Sequence, residues 1–255
     1  MAARCIKIVQ YRIHNPELST SMRPKNTPKI LAFDTSSARG SVALLEGPEL
    51  HGEIRLRHLQ NHSQHLIRSI QFLLNALEWK LEDLDLIASG IGPGSFTGIR
   101  IGISTGLGLA QSLAIPFAGV SGLEALGFQA LSTEGVIGVI LNARRDQVYY
   151  AEYRNSGHRM RVEKRPALMD ISELSPIIGK RRIYLTGDTE LYRSKGSLQG
   201  ARFHPEIVQT DAWLAVAVGR RALSLRRRWK SGDYIQCEPL YIRPPDAVKK
   251  KMRRT

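Results

Sequence analysis

Apolar residues at Leu66, Ile67, Ile70, Leu73, Leu74 and Leu77 fall at offsets of 1, 4, 7, 8 and 11 from the first, tracing one stripe along an α-helix. Asn61 followed by Gln64 resembles a capping box and sets the start of that helix. Upstream, apolar runs at 30–33 and 41–45 flank Asp34-Thr35-Ser36-Ser37 and predict a β-hairpin, with a third strand at 51–59. Downstream, a strand at 85–89 runs into Gly90-Ile91-Gly92-Pro93-Gly94-Ser95-Phe96-Thr97-Gly98. A helix to residue 114, a strand at 115–120 and a helix at 121–131 follow. The hairpin pattern then recurs, with a run at 136–141, a turn at Asn142-Ala143-Arg144-Arg145-Asp146 and an alternating strand at 147–153. Strands at 161–168 and 182–186 and helices at 170–178 and 211–229 complete the reading. Two hairpin-led halves with the same order of elements predict a duplicated α/β architecture, its second half shorter and degenerate.

Domain boundaries follow from the same pattern. Residues 1–29 lack apolar periodicity and are punctuated by Asn15-Pro16, Arg23-Pro24 and Thr27-Pro28. They read as an extension outside the fold, either disordered or preceding a true start at Met22; an Arg-bearing, acid-poor targeting peptide is the rival reading. A first lobe is expected at 30–118, a second at 119–238 and a basic tail at 239–255.

The glycine-rich segment stands between strand and helix, where backbone N–H groups can bind an anion. It lacks the Walker Gly-Lys-Ser/Thr and the Rossmann glycine spacing, so a tight packing turn is the competing reading. Gly92, Gly94 and Ser95, with Asp34, Thr35 and Ser36 of the first hairpin turn, are candidate nucleotide- or phosphate-binding residues. The following helix carries Gly98, Gly102 and Gly106, each worth about 1 kcal/mol of lost helix propensity, which close approach of another element must offset. That approach is either internal or from a partner. Leu66, Ile70, Leu73, Leu74 and Leu77 pose the same choice and favour a surface shared with a partner, or with a second copy of this chain. His58, His62 and His65 lack the glutamate of a zinc-protease helix and are not read as metal ligands. No nucleophile elbow is present.

Charge changes the picture at the ends. The 255 residues carry a net +14, yet residues 29–210 hold 20 basic against 18 acidic groups. Residues 1–28 hold five basic against one acidic, and residues 211–255 hold 12 against four. Cationic ends on a neutral body suit a polyanion such as RNA, with Arg227, Arg228, Lys249, Lys250 and Lys251 as candidate tRNA contacts; a solvated helix face with a loose tail is the bland alternative. No apolar run is long enough to span a bilayer. Two cysteines, Cys5 and Cys237, are too few for a disulfide framework or a four-thiolate zinc site and fit a reducing, cytoplasmic compartment.

Taken together, Ile-Leu-Ala-Phe-Asp-Thr-Ser-Ser from Ile30, Asn-His-Ser-Gln from Asn61, Gly-Pro-Gly-Ser-Phe-Thr-Gly-Ile-Arg-Ile-Gly from Gly92, Asn-Ala-Arg-Arg-Asp-Gln-Val-Tyr-Tyr-Ala from Asn142 and Glu-Pro-Leu-Tyr-Ile-Arg from Glu238 resemble the TsaB (YeaZ-type) family of bacterial tRNA threonylcarbamoyladenosine synthesis. The resemblance implies an actin/Hsp70/sugar-kinase-like (ASKHA) fold with two lobes of related topology. It implies a non-catalytic partner of a paralogous TsaD-like subunit, acting with a TsaE-like ATPase on the adenosine beside the tRNA anticodon. ATP and metal are then expected in the partner subunits and no cofactor in this chain. The partner contact maps to the Leu66–Leu77 stripe and the Gly98–Gly106 helix. TsaD-like proteins carry a metal-binding H-x-x-x-H where this chain has Gly122 and Leu126, neither able to ligate a metal. A stand-alone ATP-dependent kinase or ATPase of the same fold is the alternative, favoured by Asp34 and the glycine loop.

Overall fold

The computed structural model describes residues 8–13, 27–57, 62–157, 159–195, 202–226, 229 and 234–243. The chain divides into one unit of residues 1–122 and 213–239 and a second of residues 123–212 and 240–255.

In the first unit the apolar run of β2 (Lys29–Asp34) pairs antiparallel with β3 (Arg39–Glu46), and β3 pairs antiparallel with β4 (Glu49–Arg57). On its other side β2 runs parallel to β5 (Leu86–Gly90), which is parallel to β6 (Phe117–Val120). Ile30, Leu31, Ala32 and Phe33 are all fully buried, which explains an unbroken apolar run rather than alternation. Helices α1 (His62–Ala76) and α2 (Phe96–Ser112) cover part of this sheet. Helix α2 approaches the sheet closely at Gly106, where a Cβ would crowd Phe117 and Phe33. The last helix, α6 (Ala215–Ser224), lies against β2 and β3, with Gly219 pressed on Ala32 and Leu45.

The second unit repeats this order. β7 (Gly135–Asn142), β8 (Gln147–Ser156) and β9 (Arg159–Asp170) form an antiparallel meander. β10 (Tyr184–Gly187) and β11 (Glu206–Ile207) add parallel strands on the far side of β7. Sheet order β4-β3-β2-β5-β6 in the first unit corresponds strand for strand to β9-β8-β7-β10-β11 in the second. This is the duplicated α/β architecture that the repeated order of elements predicted, and the short β10 and β11 are its degenerate end. A core of Val136, Ile140, Tyr150, Leu174, Ile178 and Leu185 joins the sheet to α4 (Ile171–Ile178) and α5 (Thr189–Lys195). Helix α3 (Gly122–Gln129) meets Tyr153 at Gly127. Buried Glu152 is satisfied by the Tyr150 hydroxyl and the Arg181 guanidinium, and burial beside that carboxylate pushes the Tyr150 phenol far up.

Three boundaries differ from expectation. The break expected after residue 118 falls after Gly122, and residues 213–238, expected in the second lobe, belong to the first unit together with residue 239. The reason is α6, whose apolar face covers the first sheet, while β12 (Tyr234–Ile235) extends that sheet beside β6. Within the extension expected outside the fold, β1 (Ile8–Ile13) pairs antiparallel with β4 as an edge strand. Its Ile-Val-Gln-Tyr-Arg-Ile sequence has the β-branched and aromatic composition of a strand without strict alternation. Among the described residues no helix is long and apolar enough to cross a membrane.

Candidate functional site

The glycine-rich segment and the first hairpin turn form one clasp in the first unit. Ser95 caps α2, its side chain accepting the Gly98 N–H at 3.2 Å. The Ser95 N–H donates to the Ser36 carbonyl at 2.6 Å, and the Thr35 hydroxyl donates to the Gly98 carbonyl at 2.7 Å. A Cβ at Gly94 would overlap the Ser36 carbonyl, and one at Gly98 the Thr35 carbonyl. Gly102 meets the Thr35 and Ser89 hydroxyls in the same way. These glycines let the β2–β3 turn sit directly on the start of α2.

Asp34 lies at the centre of the clasp and is fully buried. Its Oδ2 accepts the Ser36 hydroxyl at 3.1 Å, while Oδ1 points toward Gly90 with no hydrogen-bond partner. Burial pushes its carboxyl up to about 6, against the lowering effect of the Ser36 hydroxyl and backbone N–H. Of the residues grouped in the sequence, Asp34, Thr35, Ser36, Gly94 and Ser95 meet in this clasp, whereas the Gly92 carbonyl accepts the Gly122 N–H. Two of the backbone donors there are in use: the Ser95 N–H and Gly98 N–H, on which an anion at this helix start would draw, bind chain oxygens instead. A buried carboxylate beside them adds repulsion toward phosphate. What the arrangement does best is hold turn, loop and helix together.

Partner-surface residues taken from the leucine stripe need correction. Leu66, Ile70, Leu73 and Leu74 are buried within the chain, where α1 packs against β3, β4 and α2, and Leu77 is half-buried. Gly98, Gly102 and Gly106 also face inward. The stripe is as broad as the sheet face it covers, so it is core. The opposite face of α1 exposes Ile67 (39%) and Phe72 (51%) beside Arg68, Gln71 and Asn75. On α2, Ser104, Gly108 and Ser112 are exposed, and a Cβ at Gly108 would meet nothing within 4 Å. Gly108, missed in the sequence, is the helix glycine that internal packing does not explain.

Of the basic residues, Arg220 donates to the Pro48 carbonyl and Arg221 to the Ser224 hydroxyl. Arg227, Arg228, Lys249, Lys250 and Lys251 lie outside the described residues, as do His58 and the Asn61 cap. Among the described residues no three His, Cys, Asp or Glu side chains cluster to hold a metal. Leu126 is buried in the core, and the Gly122 N–H donates to the Gly92 carbonyl.

In the second unit the β7–β8 turn holds Arg144, Arg145 and Asp146 at φ of 64°, 54° and 60°. Asn142 closes it, its Oδ1 accepting the Arg144 N–H at 2.7 Å while its own N–H donates to Asp188. Arg243 reaches this turn from 96 residues away and donates to Gln147 Oε1 at 2.5 Å. The sequence marked the turn but gave no sign that Arg243 joins it.

Comparison with known proteins bears on both units. A family described as "TsaD: tRNA N6-adenosine threonylcarbamoyltransferase" matches residues 57–203. The tRNA threonylcarbamoyladenosine biosynthesis protein TsaB of Bacillus subtilis is 35% identical over 167 residues, covering 64% of this chain and 73% of that protein. The Escherichia coli protein of the same name is 37% identical over 128 residues, covering 49% of this chain and 55% of its own length. The chain thus matches about half the length of that second relative. YeaZ from Pseudomonas aeruginosa superposes with a TM-score of 0.67 at 25% identity, over 84% of this chain and 99% of that one. A crystal structure described as similar to peptidase YEAZ, also from Pseudomonas aeruginosa, gives 0.67 at 27% identity over 85% and 100%.

Proposed function

Since the chain belongs to the TsaB family of tRNA threonylcarbamoyladenosine biosynthesis proteins, we propose that it serves there as a non-catalytic subunit that binds and activates a TsaD-like enzyme through the outer faces of α1 and α2. One observation carries this reading: these adjacent helices expose Ile67 and Phe72 on α1 and an open glycine, Gly108, on α2. An exposed helix glycine costs about 1 kcal/mol relative to Ala, and close approach of a partner helix offsets that. The absence of catalysis in this chain draws support from Gly122 and core-buried Leu126 at the positions of the TsaD-like metal histidines, and from the Ser95 and Gly98 donors already spent beside Asp34. ATP and metal then belong to the TsaD-like and TsaE-like subunits, tRNA is the substrate of the assembly, and the cytoplasm is its compartment. Alone, the same outer face supports a homodimer.

The two sides of α1 give the test. Phe72→Asp should keep the wild-type melting temperature but abolish co-purification with a TsaD-like chain and threonylcarbamoylation by the reconstituted set. Leu73→Asp, which buries a charge in the core, should unfold the protein, a loss above about 3 kcal/mol. Full pairing by Phe72→Asp, or threonylcarbamoylation by this chain without the TsaD-like subunit, overturns the reading.

A further inference from the structure

Charge over residues 29–210 is nearly balanced in total, 20 basic against 18 acidic groups, but it is not balanced locally. Residues 159–165 of β9 read Arg-Met-Arg-Val-Glu-Lys-Arg, four cations and one acid, on the edge strand of the second sheet. Arg159, Arg161 and Lys164 stand directly opposite Ser156, Arg154 and Glu152 of β8. Those three β8 residues alternate along their strand, so all six side chains share one face of the sheet. Toward Ser156 that face leaves the core: Arg154, Ser156, Arg159 and Arg161 are exposed.

The acids within reach are already committed. Glu163 accepts two hydrogen bonds from Arg154, at 2.6 and 2.8 Å, and a third from Arg181 at 2.7 Å. Arg181 also pairs with buried Glu152. Arg159, Arg161, Lys164 and Arg165 form no ion pair among the described residues. Arg161 even faces Arg154 across the strands, a like-charge placement that works against the fold and serves nothing inside it. An edge strand uses charge to discourage stray pairing, but charge of either sign does that, so it does not account for a run of one sign.

Spacing and backbone select the occupant. Arg159 and Arg165 are six residues apart, about 20 Å along an extended strand and less where β9 bulges, beyond the reach of a single phosphate or carboxylate. An acidic peptide held by backbone pairing would need an unbroken ladder, which β9 does not offer. Its pairing with β8 shifts register between Tyr150 and Glu152 and again between Glu152 and Tyr153, and Pro166 has no N–H to donate. A nucleic-acid backbone carries a charge at every residue and needs no ladder. We infer that Arg159, Arg161, Lys164 and Arg165 of β9 form a contact surface for the phosphodiester backbone of RNA. The inference rests on the family reading above only for tRNA as the RNA in question. Its residues belong to the second unit and the α1–α2 docking face to the first, so the two readings fail separately. Contacts of this kind position an RNA without reading its bases.

Fluorescence anisotropy of the full chain with a labelled tRNA transcript, across a salt series, tests the surface. Each lost phosphate contact makes the log–log salt slope shallower by about 0.7–0.9. Arg161→Gln should therefore flatten the slope by that amount without lowering the melting temperature, because it also removes the like charge facing Arg154. Arg159→Gln, Arg161→Gln and Arg165→Gln together should flatten it by about 2–3 and weaken binding about tenfold. Arg193→Gln, which removes a cation already paired with Glu190, should leave the slope unchanged. Melting curves confirm that each variant folds. A triple variant that binds tRNA as the wild type does overturns the inference. Displacement of the tRNA by millimolar inorganic phosphate at constant ionic strength would show a small-anion site, and displacement by polyglutamate as effective as by RNA of equal charge would show a general polyacid surface; either overturns the RNA assignment. The triple variant should still co-purify with the TsaD-like chain, and failure there would make β9 a protein-docking surface instead. Phe72→Asp should bind tRNA as the wild type does, which keeps this site distinct from the docking face.

Discussion

The β2–β3 and β7–β8 turns occupy equivalent places in sheets of the same strand order, and they differ in nearly every chemical respect. The first carries Asp34, Thr35 and Ser36, buried beneath the start of α2 and bonded to it. The second carries Arg144, Arg145 and Asp146, exposed and held at positive φ. In the first unit, glycines at 94, 98 and 102 draw helix and turn together. In the second, β10 runs through Gly187 into the short α5, and no glycine-lined helix closes over the turn among the described residues. Duplication supplied one frame twice. The clasped copy became an internal joint, and the open copy became available surface.

The clasp breaks most easily at its glycines. Gly98→Ala forces a methyl group into the Thr35 carbonyl, which is backbone and cannot rotate away. The turn must move, and about 3 kcal/mol of stability should be lost, read as a lower urea midpoint at unchanged slope. Gly108→Ala on the same helix meets open space and should gain up to about 1 kcal/mol. Equal effects at the two positions would mean that the clasp is not tight.

The buried acid sharpens the contrast through pH. Asp34 binds its proton more tightly folded than unfolded, because its carboxyl rises from 3.8 to about 6. Between those values the native state holds more protons, so this group's contribution to stability falls as pH rises, and above about 6 the loss is complete. A rise of that size corresponds to about 3 kcal/mol. Asp34→Asn should therefore be the more stable protein at pH 7.5 by about 2 kcal/mol, with the difference shrinking toward about pH 4. Thermal melts of both proteins across that range measure it. A difference that grows toward acid would mean that Asp34 is stabilised as an anion by a group facing Oδ1.

Much of this frame was legible in the sequence. The continuous runs of β2 and β5 and the helical stripe of α1 gave elements whose bounds shifted by only a few residues. The turn residues Asp34 to Ser36 and the loop from Gly90 to Gly98 were also correctly placed together. What periodicity does not encode is the identity of the surface that covers a face. Leu73 and Leu74 repeat with the same spacing whether a sheet or another molecule buries them, and here the sheet does. The two-residue strands β11 and β12 are too short to carry a pattern, and α5 follows β10 without an apolar stripe of its own. The return of α6 to the first sheet is a long-range choice, visible only through contacts such as the Ala215 N–H on Ser41 Oγ at 3.0 Å. Arg243 at the β7–β8 turn is hidden for the same reason.

The open turn responds in the opposite sense to the clasp. A left-handed conformation costs a non-glycine residue about 1–2 kcal/mol, while glycine adopts it freely but loses more chain entropy on folding, about 0.5–1 kcal/mol. At φ 64° the balance favours glycine, so Arg144→Gly should raise stability by up to about 1 kcal/mol, or roughly 2–4 °C in melting temperature. Gly98→Ala and Arg144→Gly are thus mirror experiments, one adding a side chain where the fold excludes it and the other removing one where the backbone resists it. A lower melting temperature for Arg144→Gly would mean that the contacts around Arg144 outweigh its backbone strain, and the contrast between the two turns would then reduce to packing alone.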